Sequence, residues 1–142
     1  MIILDTNVLS EFMRDVPDSM VMTWVAQQET SELFITTITQ AEMYYGLALL
    51  PPGRRRNELE RAVCQVFDQD FQQRILSFDS AAAIAYGRLA ALRRQNGKPI
   101  SQADAQIAAI AQTQNAVLAT HNIKDFWNCQ LTLVNPWQVE LG

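Results

Sequence analysis

The stretch Ile2-Ile3-Leu4-Asp5-Thr6-Asn7 decides how this chain is read. Three apolar residues run together and stop abruptly on a carboxylate. Other runs of the same character follow: Leu33-Phe34-Ile35-Thr36-Thr37, Ala116-Val117-Leu118-Ala119-Thr120, Leu131-Thr132-Leu133-Val134 and the weaker Ile75-Leu76-Ser77-Phe78. They are continuously apolar rather than alternating, the mark of strands covered on both faces. Between them lie helical spacings. Ala81, Ile84, Ala85, Leu89 and Leu92 form one apolar stripe, Ala103, Ile107, Ile110 and Ala111 another, and Val63, Val66 and Phe67 a third. Strands alternating with helices predict an α/β fold: a mostly parallel central sheet of four to five strands with helices on both faces. Ligands in such folds bind beyond the carboxyl ends of the strands, near a topological switch point.

Composition narrows the choice of function. The 142 residues suit a single domain over 1–142, and no stretch reads as a linker; Pro51-Pro52-Gly53 only separates two helical patterns. Eleven Lys and Arg against fifteen Asp and Glu leave a net charge of −4, which argues against a generally basic nucleic-acid binder but permits local patches. Arg54, Arg55, Arg56, Arg88, Arg93, Arg94 and Lys98 supply such patches, read either as solvated helix surface or as cationic lining for a polyanion. Cys64 and Cys129 lack metal-motif spacing and His121 is the sole histidine, so zinc-finger, haem and disulfide-scaffold readings fall away. With no long apolar run and no basic, apolar leader at the start, the expectation is a soluble cytoplasmic protein without membrane contact.

Three acids sit where strands end or helices begin: Asp5 after the first run, Glu42 in Thr39-Gln40-Ala41-Glu42, and Asp104 in Ser101-Gln102-Ala103-Asp104. A hydroxyl residue followed three positions later by an acid is also the signature of a helix capping box, and Asp5 could equally cap the helix starting near Asn7. Capping does not explain why Asp5 closes an apolar strand with no nearby cation; the first Arg is Arg14 and the first Lys is Lys98. Carboxylates gathered by a sheet repel one another unless a cation intervenes. An all-oxygen, His-free donor set suits Mg²⁺ or Mn²⁺, ions that clamp a phosphodiester and activate water for phosphoryl transfer.

Taken in order, ILDTNVLSEF (3–12), FITTITQAEMYYGLALL (34–50) and ISQADAQIAAIAQTQNAVLATHNIKDF (100–126) resemble the PIN-domain family, in particular its bacterial VapC and FitB-like toxin branch. The resemblance implies a PIN-like three-layer sandwich and a divalent-metal-dependent endoribonuclease yielding 5′-phosphate and 3′-hydroxyl ends. It places the family's acids on Asp5, Glu42 and Asp104, holding one or two Mg²⁺ or Mn²⁺ ions. The fourth acidic position falls in Thr120–Phe126, where relatives often carry Asp at the place of Asn122. Here Asn122 is a supporting residue, and Asp125 is the candidate fourth metal ligand, with capping of a short helix as its alternative role. Thr6 matches the family's hydroxyl beside the metal, and Asn7 is expected to hold Asp5 by hydrogen bonds. His121 is read as a phosphate contact or a surface residue without a role.

The resemblance further implies three partners: a small VapB-like antitoxin covering the site, an RNA substrate of tRNA or rRNA type, and a second copy of the chain meeting it around Trp24 or Tyr45. Two alternatives stand beside the ribonuclease: a catalytically impaired PIN-like protein-binding module, suggested by Asn122, and a metal-dependent phosphatase of small phosphoesters, which Asp5-Thr6-Asn7 serves poorly for want of a DxD pair. Glu11, one turn beyond Asn7, is read as a solvated surface glutamate, with support of the acidic site from behind as the alternative. Gly46 in a helix interior is attributed to close helix packing, with room for substrate as the alternative. Tyr44 and Tyr45 are read as core or interface aromatics, with stacking on a base as the alternative.

Overall fold

The apolar runs become five short strands in the computed structural model, which describes residues 1–138. These are β1 (Ile2–Leu4), β2 (Leu33–Thr36), β3 (Ile75–Leu76), β4 (Val117–Ala119) and β5 (Thr132–Val134). Every pairing is parallel and the order across the sheet is β3-β2-β1-β4-β5. Parallel neighbours need crossovers, which six helices provide up to β4: α1 (Thr6–Glu11), α2 (Ser19–Ala26), α3 (Thr37–Leu49), α4 (Arg54–Gln65), α5 (Ser80–Gln95) and α6 (Gln102–Thr113); β4 reaches β5 through a 3-10 turn (Ile123–Phe126).

Alternation along the strands explains their uninterrupted apolarity. Ile3 and Leu118 point into a core shared with α5 and α6, while Leu4, Ile35 and Ala119 point into a second core against α1 to α4. Both faces of the sheet are therefore covered, as a parallel sheet requires. On one side α6 packs Ala105, Ile107, Ala108, Ile110 and Ala111 against the strands, all at most 1% exposed, and its small residues let it lie close. On the other side Val63, Val66 and Phe67 bury the end of α4 and a single π-helical turn (Val66–Asp70) that follows it.

Several expectations shift in detail. The second run stops at Thr36 because the Thr36 hydroxyl accepts from the Thr39 amide at 3.2 Å and so caps α3. The buried line of α5 is Ala82, Leu89 and Arg93, flanked by Ala85 and Tyr86; Ile84 and Leu92 of the expected stripe stay exposed. Trp24 is only 6% exposed and packed in the second core, so it offers no surface to a second copy, whereas Tyr45 does. Gly46 has open space where a Cβ would point, which removes close packing as its reason. No helix among the described residues is long and apolar enough to cross a membrane.

Candidate active site

Chain direction reverses its progress across the sheet at β1: β2 and β3 build one way, then β4 and β5 are added on the far side. The adjacent carboxyl ends of β1 and β4 are thus the switch point, where loops diverge and leave a crevice. Asp5 and Thr120 sit there, each one residue past its strand.

Asp5 is 5% exposed and tightly fixed. Its Oδ1 accepts from the Thr6 amide at 2.8 Å, and its Oδ2 accepts from the Thr120 hydroxyl at 2.8 Å and from Asn7 Nδ2 at 3.3 Å. It caps α1, so capping and a chemical role coincide in one residue. Asn7 acts in two directions as its Oδ1 accepts from the His121 amide at 3.2 Å, tying the loop after β4 to β1. No cation joins this group. Burial pushes the Asp5 carboxyl up to about 6, against the donated hydrogen bonds of Thr120 and Thr6, and the charges of Asp104 and Glu42 push in the same upward direction.

Glu42 lies sixth in α3, too far in to complete a capping box; the cap is Thr36, so TQAE is no cap. Its Oε1 accepts from the Thr6 hydroxyl at 2.8 Å, and that hydroxyl lies 2.9 Å from the Thr39 hydroxyl. Asp104 is half-buried in the first turn of α6, where Ser101 does cap the helix by accepting from the Asp104 amide at 3.2 Å. Burial raises the Asp104 carboxyl and repulsion from Asp125 adds to it, opposed by the Ser101 hydroxyl and the charge of Arg93. Asp125 is exposed on a 3-10 turn (Ile123–Phe126) whose N-cap is Asn122, so Asp125 does not cap it. Asn122 is exposed and its amide donates to the Thr120 hydroxyl at 3.1 Å. The exposed ring of His121 stacks on Trp137 at 4.2 Å between centroids.

The carboxylates share one electrostatic neighbourhood without collapsing into a finished cage. Among the described residues, no three His, Cys, Asp or Glu side chains already stand in liganding geometry. The donors are hard oxygens, one acid is rigid and the others border solvent, which suits Mg²⁺ or Mn²⁺ bound through a few carboxylates and several waters.

Four residues assigned no such place by sequence reasoning matter here. Thr120 ends an apolar strand on a polar group, the same signal that marks Asp5. Thr39 backs Thr6 from within α3 and is fully buried. Glu11, expected at the surface, is 5% exposed: it accepts from the Asp18 amide at 2.9 Å and pairs with Arg14 at 3.0 Å, holding the entry to α2. Arg93, expected on a solvated face, is also 5% exposed, and only its place in line with Ala82 and Leu89 hints at this.

Comparison with known proteins places these features in a family. The PIN domain family matches residues 2–126. The VapC ribonuclease Y4jK of Sinorhizobium fredii is 38% identical over 142 residues, covering 97% of this chain and 99% of that one. Toxin FitB of Neisseria gonorrhoeae is 35% identical over 137 residues, covering 96% and 99%. A chain in the structure of FitAB bound to IR36 DNA fragment superposes with a TM-score of 0.92 at 36% identity, over 99% of this chain and 98% of that chain. By its ordered motifs, its all-parallel five-stranded sheet and these matches, the chain belongs to the PIN domain family.

Proposed function

We propose that this chain is a Mg²⁺- or Mn²⁺-dependent endoribonuclease and the toxin of a toxin–antitoxin pair. The observation that carries the chemistry is Asp5: a buried carboxylate, fixed by three donors and repelled by two other acids, with no cation among its own partners in the described residues. The relatives named VapC ribonuclease and Toxin FitB support RNA as substrate and toxin as role.

In this reading Asp5, Glu42 and Asp104 hold the metal, one ion or two, and Asp125 completes the acidic set with Asn122 beside it. A dication bound there would polarise the scissile phosphate and lower the pKa of a water. The chain's own part is positioning. Thr120, Thr6 and Asn7 aim the Asp5 oxygens, and the Thr6 hydroxyl holds one oxygen of the exposed Glu42 beside the start of α1. The acids alone would repel a polyanion, and a bound dication would offset that charge.

Partner binding fits the same surface. A groove of about 330 Å³, mostly apolar, runs from Thr6 and Glu42 past Met43 and Gly46 to Leu50 and Leu59. It offers an antitoxin segment an apolar track leading to Glu42. Gly46 lines this track, so room for a ligand is its reason. A second copy of the chain has exposed apolar side chains to cover, Tyr45 and Leu49 on α3 and Ile84 and Leu92 on α5. Light scattering at micromolar concentration tests this, a monomer removing it.

A fluorogenic RNA incubated with Mn²⁺, with and without EDTA, separates the readings. Cleavage that EDTA abolishes is the expected result. Turnover of a small phosphomonoester instead of RNA indicates a phosphatase, and inert protein that binds RNA or a partner indicates an impaired binding module.

A further inference from the structure

Arg93 stands in the last turn of α5 with a buried guanidinium and no carboxylate in contact. The ion pairs of the described residues are Met1–Glu32, Arg14–Glu11 and Arg54–Glu58, and Arg93 is in none of them. A buried charge without a paired counter-charge is costly, so its position calls for a reason. Its partners come from two distant segments. Nε donates to the Lys98 carbonyl at 2.8 Å, in the connection leading to α6 and Asp104. Nη1 donates to the Asp125 carbonyl at 2.8 Å and to Cys129 Sγ at 3.5 Å, in and after the 3-10 turn. The Trp127 ring closes over the assembly, 5.9 Å from the Arg93 guanidinium and 4.4 Å from Lys98 Nζ. One planar fork thus references the approach to Asp104 and the turn bearing Asp125 to a single rigid point, a task suited to arginine's fixed donor geometry.

We propose that Arg93 is a positioning residue that clamps the Ile123–Phe126 turn so that Asp125 serves as the fourth carboxylate of the metal site beside Asp104. This rests on the metal-site reading above and extends it. Asp125 lies close enough to Asp104 for its charge to raise the Asp104 carboxyl. A role through charge alone has the opposite signature, because a cation near the site repels a metal ion and its removal tightens binding.

The test is Mn²⁺ affinity of the full chain by electron paramagnetic resonance, without RNA, for Arg93→Met, Arg93→Lys and Asp125→Asn and for each Arg93 variant combined with Asp125→Asn. Circular dichroism confirms folding, and Arg93→Lys carries the test if the Met variant is unfolded. Each Arg93 variant is expected to weaken Mn²⁺ binding roughly 10-fold, the usual loss when an outer partner of a ligand is removed. In the Asp125→Asn background neither variant adds a further loss, since the clamp then has nothing to place. Unchanged or tighter Mn²⁺ binding in folded Arg93 variants overturns the proposal, as do losses that multiply with that of Asp125→Asn. A parent chain that binds no Mn²⁺ overturns the metal-site reading and this proposal together, which distinguishes the two failures.

Discussion

The Thr120 hydroxyl donates to Asp5 Oδ2 at 2.8 Å, joining the ends of β4 and β1 across 115 residues of chain. Both groups are buried, and among the described residues no cation pairs with this carboxylate. Hydrogen bonds to a charged acceptor are worth about 1.5–3 kcal/mol, more than neutral ones. Thr120→Val keeps the shape and removes the donor. Mn²⁺ affinity is expected to fall about 10-fold, with the thermal unfolding of the loaded protein shifting down and its circular dichroism unchanged. Parent-like affinity by calorimetry contradicts the role given to Thr120.

The raised Asp5 pKa makes the metal-free site a source of instability. The carboxyl moves from 3.8 to about 6 on folding, so the folded chain holds its proton more tightly than the unfolded one. That contribution to stability is fully present below about pH 4 and is lost as the pH rises through 6. The loss amounts to about 3 kcal/mol at neutral pH, to order of magnitude. Asp5→Asn abolishes this titration. With EDTA present, the variant is expected to exceed the parent in urea midpoint at pH 7.5, and the gap should close by pH 4. A gap independent of pH sinks the assignment.

Metal binding carries the same proton with the opposite consequence. A dication needs the ionised carboxylate, so Mn²⁺ affinity should decline as the pH falls below about 6, with proton release on binding. Calorimetry in two buffers of different ionisation enthalpy detects that release. Its absence at pH 5.5 contradicts the picture of a protonated Asp5.

Gly46→Ala separates stability from partner binding. The added methyl meets nothing within 4 Å and removes a helix-interior glycine, so stability should rise by about 1 kcal/mol. If the groove receives an antitoxin segment, affinity for the cognate antitoxin falls while RNA cleavage by the free chain is unchanged. Tighter or equal antitoxin binding argues that the segment docks elsewhere.

Leu118→Ala tests the sheet itself. Leu118 is fully buried at the centre of β4, and truncation there should cost about 2–5 kcal/mol through lost transfer energy and the cavity left behind. A change below 1 kcal/mol in urea denaturation means the core is packed differently.

Much of the fold was legible in the sequence because the parallel sheet is written in apolar runs. Ile2–Leu4 matches its strand residue for residue, and each other run overlaps one at slightly shorter bounds. The errors share one cause: sequence spacing does not say which side of a helix the tertiary fold will cover. Ile84 and Leu92 fit an apolar stripe yet face outward, while Arg93 and Glu11 look like surface charges and are buried because each serves as a hydrogen-bonding hub for its loop. In the site, Asp5 could be read from the run it ends, and Asn7 holds it as expected. Glu42 and Asp104 could be read from their motifs, although only the SQAD segment is also a cap. Thr120 carries the same strand-end signal as Asp5, but its pairing with Asp5 spans 115 residues and that of Thr39 with Thr6 spans 33, and no local pattern announces either pairing.

The convergence of Asp5, Glu42 and Asp104 on one dication is tested most directly by calorimetric titration of Mn²⁺ at pH 7.5 into the parent chain and into Asp5→Asn, Glu42→Gln and Asp104→Asn. The parent should bind one or two ions, and each folded variant should lose at least about 10-fold in affinity. A parent that shows no binding, or any of the three variants binding as the parent does, contradicts a shared metal site.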